Sequence, residues 1–128
     1  MKKTLAIAVA CALLLTVTAF AGTGYDQGLT TGPTKITIKG ECTVTTGSAV
    51  ASTSPLTNPG GPYSVSTKVT AAVKDVQTQQ MSVVSDLGTN QASLSYFFPS
   101  EIQFAGSTHS FSSSANGTWS GAVQVVYP

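Results

Sequence analysis

From Ile36 to Val44 the chain alternates without a break, with Ile36, Ile38, Gly40, Cys42 and Val44 on one parity and Thr37, Lys39, Glu41 and Thr43 on the other. A period of two sends successive side chains to opposite faces, so this segment can bury one face only as an extended strand. The pattern returns at the far end, where Trp119, Gly121, Val123, Val125 and Tyr127 alternate with Thr118, Ser120, Ala122 and Gln124. Between them, Val65, Val69, Ala71 and Val73 share a parity against Ser66, Lys68, Thr70 and Lys74. Val69, Ala72, Val73 and Val76 also match a helical stripe, but β-branched residues dominate and no N-cap precedes them, which favours a strand.

Shorter strands are expected over Met81 to Val84, Ala92 to Phe98 and Ile102 to Ala105, with a weaker one around Phe111. Asp86 to Asn90 reads as a turn, and its oxygens do not have the spacing of a calcium loop. Ser52 to Pro62, with three prolines and an adjacent glycine pair, reads as a loop. Six to eight short strands separated by turn signals predict an all-β fold, an immunoglobulin-like β-sandwich.

The first 21 residues have the form of a secretory signal peptide: Lys2 and Lys3, an apolar run from Leu5 to Val17, and Ala19-Phe20-Ala21 before Gly22. Residues 22–34 follow, and with four glycines between Gly22 and Pro33 they read as a flexible arm. The sandwich domain is then expected over residues 35–128. Removing residues 1–21 also removes Cys11, leaving Cys42 without an intramolecular disulfide partner. Cys42 reads as a small apolar core residue, since no basic neighbour is evident to lower its pKa.

Charge and titratable groups narrow the function classes. Six lysines and no arginine cannot supply the basic surface that phosphate backbones require, so nucleic acid is not an expected partner. One histidine, His109, excludes a multi-histidine metal site, and no metal or cofactor is expected. His109 lies in Gly-Ser-Thr-His-Ser and reads as a solvated loop residue, and the five acids are scattered, so no enzyme is expected. Asn116-Gly117-Thr118 fits a glycosylation sequon but reads as a hairpin turn. Trp119 and Tyr127 share the parity of Val123 and Val125 and read as core.

The strand Lys35-Ile36-Thr37-Ile38-Lys39-Gly40, the Pro/Gly loop, a Ser-x-Thr-x-Val-x-Ala-x-Val strand and the closing Gly117-Thr118-Trp119-Ser120-Gly121-Ala122-Val123-Gln124-Val125 hairpin together resemble fimbrial subunits of chaperone-usher pili. The style is that of the colonisation-factor type, which lacks a disulfide, and the penultimate Tyr127 is similar to the C-terminal aromatic of many such pilins. The resemblance implies a structural or adhesive surface subunit, exported to the periplasm and then to the cell surface. Its implied partners are a periplasmic chaperone, an outer-membrane usher, and further copies or related pilins joined by donor-strand exchange.

On that reading Ile36, Ile38, Gly40, Cys42 and Val44, within residues 35–45, form the donated strand. Trp119, Val123, Val125 and Tyr127 form the C-terminal strand that meets the chaperone. Burying the large donor side chains would contribute roughly 5 to 10 kcal/mol gross, comparable with the ~5 to 15 kcal/mol stability of a whole domain. The alternative is a self-contained secreted β-sandwich, a binding or inhibitor module, in which the same strand closes its own sheet.

Overall fold

The structure, a computed structural model, describes residues 22–126. The signal-peptide segment and Tyr127 lie outside the described residues. Eight strands form a β-sandwich: β1 (Gly22–Leu29), β2 (Thr37–Val44), β3 (Ser48–Pro55), β4 (Tyr63–Asp75), β5 (Met81–Gly88), β6 (Gln91–Ser95), β7 (Ser100–Ser113) and β8 (Gly117–Val126). One sheet runs β1-β2-β3-β6 and the other β5-β4-β7-β8, with every pairing antiparallel.

The alternation at Ile36 to Val44 acts as expected, burying Ile38, Cys42 and Val44 completely. In β4 the strand reading prevails over the helical stripe, because Val65, Thr67, Val69, Ala71 and Val73 all turn inward. Ala72 is buried as well: the β4–β7 register passes from Ala72↔Phe104 to Val73↔Ile102 and skips Gln103. This bulge aims Phe104 over Ala72 on the outer face.

Four expectations need correcting. Residues Gly22 to Leu29 form β1, paired with β2 along its whole length, where a flexible arm was expected. Glycine does not prevent a strand whose inward face must lie against a neighbouring sheet, and burial alternates along β1 accordingly. Ser48 to Pro55 form β3, carrying pairing into the segment read as loop, because Ala49, Ala51 and Thr53 are small enough to fill a thin part of the core. β5 extends to Gly88, into the segment read as a turn. Finally, Ile102 to Ala105 and Phe111 belong to one 14-residue strand, β7, with His109 in its middle and 2% exposed rather than in a solvated loop.

Among the described residues the interior has two apolar clusters. The larger contains Cys42, Val44, Val69, Val73, Ile102, Val123 and Val125, among other residues. The smaller contains Ile36, Ile38, Val65 and Phe111, with Trp119 packed against it. Between the two clusters the inward residues are polar or glycine: Gly40 on β2, Thr67 on β4, Ser107 and His109 on β7 and Gly121 on β8, with Thr53 of β3 hydrogen-bonded among them. Asp26 of β1 stands opposite Gly40 and completes this transverse polar layer.

Candidate functional site

The residues read as donor strand and as C-terminal strand meet inside one molecule. Cys42 and Val44 share a cluster with Val123 and Val125, and Ile36 and Ile38 pack with Trp119 in the other. The segment read as donated is thus an internal strand of its own sheet, bonded to β1 on one edge and β3 on the other. Giving it to a neighbour would break both ladders and open the core.

One open side of the sandwich lies between β1 and β8, and three glycines set their approach. A Cβ on Gly24 would stand 2.9 Å from Val123 Cγ1, and one on Gly28 would stand 2.7 Å from Trp119 Nε1. A Cβ on Gly121 would meet Asp26 Oδ2 at 2.6 Å. Only glycine allows so close a seam.

Asp26 Oδ2 accepts a hydrogen bond from the Ala122 backbone N–H at 3.2 Å. On the opposite side of the sandwich, Asp86 Oδ2 of β5 accepts from the Ser93 N–H of β6 at 3.0 Å. Each open side is therefore bridged by a carboxylate on an edge strand of one sheet that satisfies an edge donor of the other. Inward-pointing charge of this kind blunts a sheet edge against further pairing.

The β1–β2 loop is pinned across the β7–β8 turn. Gly32 N–H donates to Asn116 O at 2.7 Å and Thr31 N–H to Thr118 O at 3.1 Å. Asn116 Nδ2 donates to Thr34 O at 2.8 Å. Fully buried in this way, the Asn116 amide is a structural tie, in keeping with the hairpin-turn reading of its sequon.

Within the polar layer the hydrogen bonds run one way. The Thr67 hydroxyl donates to Thr89 O at 2.7 Å. A hydroxyl has a single hydrogen, so the 2.7 Å contact between Thr53 and Thr67 must be donated by Thr53. The Thr53 oxygen is then left to accept from His109 Nδ1–H, also at 2.7 Å. In a neutral ring Nε2 is the acceptor, and it receives the Ser107 hydroxyl at 2.6 Å. The network itself assigns the tautomer.

No family model, curated protein or solved structure matches the chain.

Chemically, Ser107 and His109 stand at the distance of a nucleophile and its base. Both are closed off from solvent, at 5% and 2% exposure, and the group orienting the imidazole is a hydroxyl instead of a carboxylate. The arrangement suits cohesion better than turnover. Burial pushes the Cys42 thiol up to about 11. Burial likewise holds His109 below its ordinary value, opposed by the Asp26 charge. Among the described residues, no group of three or more His, Cys, Asp or Glu side chains is placed to hold a metal ion.

Periodicity singled out Gly40, Cys42, Trp119 and Val123 but passed over Asp26, Thr53, Thr67 and Ser107. A signal was present for two of them. Thr67 sits on the apolar parity between Val65 and Val69, and Ser107 shares the parity of Ala105 and Phe111. A polar residue on a buried parity is a request for a partner.

Proposed function

We propose that the chain is an exported, self-contained β-sandwich module that acts through its surface, as a binding or structural unit, and performs no catalysis. The observation that carries this reading is the position of β2, whose two edges are both satisfied by β1 and β3 of the same chain. A strand so placed completes its own sheet and asks nothing of a neighbour. The contact surface we favour is the β6–β7 loop, where Phe97 and Phe98 are 86% and 72% exposed. Adjacent aromatic rings held out in water supply contact area where a partner can bury them. The purified protein should be a monomer by light scattering that melts in one cooperative transition. Recovery only in complex with a chaperone, or as polymers, would remove the reading.

A fimbrial subunit is the second reading, with β1 in place of β2 as the exchanged strand. A specific feature favours it: β1, the first described strand, lies at a sheet edge and turns Gly22, Gly24, Asp26 and Gly28 inward. Its departure would sacrifice little apolar burial of its own while uncovering Val123, Val125 and Trp119, which β1 of another copy would cover again. Periplasmic chaperone, outer-membrane usher and further copies are the partners of that reading. Deleting residues 22–29 separates the two readings. A fibre-forming subunit would lose polymerisation, whereas a self-contained module would lose only stability.

A further inference from the structure

We propose that His109 is an acid-sensitive lock between the two sheets, closed while its imidazole is neutral and opened by a proton at Nε2. The relay from Ser107 through His109, Thr53 and Thr67 to the Thr89 carbonyl joins β7, β3, β4 and the β5–β6 turn. In its neutral form the relay has Nδ1 protonated and Nε2 bare, with the Ser107 hydrogen directed at Nε2. A proton on Nε2 makes that nitrogen a donor facing a hydroxyl that already donates to it. Ser107 must then turn its hydrogen away, and the group beside it is the Cys42 thiol, a weak acceptor. Nδ1–H stays on Thr53 in either state, so the cost falls on the Ser107 end and on the buried charge. The charge is also placed where water does not reach, directly beneath Gly40.

The surroundings decide the sign. From β1 the Asp26 carboxylate faces the ring across Gly40 and favours the charged form. From β2 the neighbour is the neutral Cys42 thiol. β3 and β4 present the Thr53 and Thr67 hydroxyls, β7 presents Ser107, and β8 presents Gly121. Lys68, next to Thr67, is exposed on the outer face of its sheet. Desolvation is the larger effect and Asp26 the smaller, so the ring titrates below its ordinary value when folded. A group with a lowered folded pKa contributes stability that is complete above its unfolded value of about 6.5 and is lost as the pH falls from there through the folded value.

His109 is the only histidine of the chain, so its ring signals in NMR spectra of the full protein are unambiguous. The expected result is an Nδ1–H tautomer near pH 8 and a ring titration midpoint below the ordinary value. The folded-to-unfolded ratio from urea unfolding should be flat above about pH 7 and fall by up to tenfold per pH unit below 6.5 on account of this group. Asp26→Asn, which removes the facing charge and leaves the ring intact, should move the midpoint to still lower pH. An Nε2–H tautomer in the folded protein, or a midpoint at or above the ordinary histidine value, would overturn the lock, and neither readout depends on a variant that must fold.

Discussion

Gly40 of β2 lies directly over the His109 ring, so that a methyl group added to its Cα would fall onto the imidazole Cγ and Cδ2. The ring is held from both sides by Thr53 and Ser107 and cannot swing away without releasing its hydrogen bonds. Gly40→Ala should therefore destabilise the fold by about 1 to 3 kcal/mol through overpacking, read as a lower urea midpoint. Gly61→Ala is the matched control. A Cβ there meets nothing within 4 Å, and the midpoint should hardly move.

Thr53→Val keeps shape and volume but removes the only partner of His109 Nδ1–H. A buried donor left without an acceptor costs about 1 to 3 kcal/mol. Thermal unfolding of Thr53→Val and Thr67→Val, alone and combined, should show a combined loss smaller than the sum, because either change cuts the same relay. Strict additivity would mean that the hydroxyls act independently.

How far the sequence announced this arrangement varies with the kind of signal. Strands with large apolar residues on one parity, β2, β4 and β8, declare themselves by period alone. β1 and β3 do not, because their inward residues are glycine, alanine, threonine and aspartate, chosen for a close approach between sheets and invisible to a hydrophobic count. His109 escapes the periodic signal for a related reason. Its flanking Gly106, Ser107, Thr108 and Ser110 look like turn residues, whereas they are the small and hydroxylic positions of a strand whose inward side chains form a polar layer. The pairing of Asp26 with Ala122, 96 positions apart, is a product of topology that no local pattern encodes.

Asp26→Ala should free the Ala122 N–H and unguard the β8 edge. Loss of one partly exposed hydrogen bond to a carboxylate should cost about 1 kcal/mol, and the Ala122 amide should exchange faster with solvent. Light scattering at increasing concentration should detect self-association of the variant where the parent protein has none.

Cys42 is wholly buried with its thiol pushed up to about 11, so little thiolate exists at neutral pH and none of it is reachable. A thiol reagent added to the folded protein at pH 8 should react only as fast as the molecule opens, and promptly in 6 M guanidinium. Rapid labelling without denaturant would mean that the β2–β8 interior is open far more often than its packing implies.

The central claim is that β2 belongs to its own molecule, and native-state hydrogen exchange on the purified monomer tests it most directly. The amides of Thr37 to Val44 should be among the slowest in the protein, exchanging only with global unfolding, because β1 and β3 flank them on both sides. Exchange of those amides in a low-energy local opening, while β4 and β7 stay protected, would contradict the account and return β2 to the role of a strand held ready for another subunit.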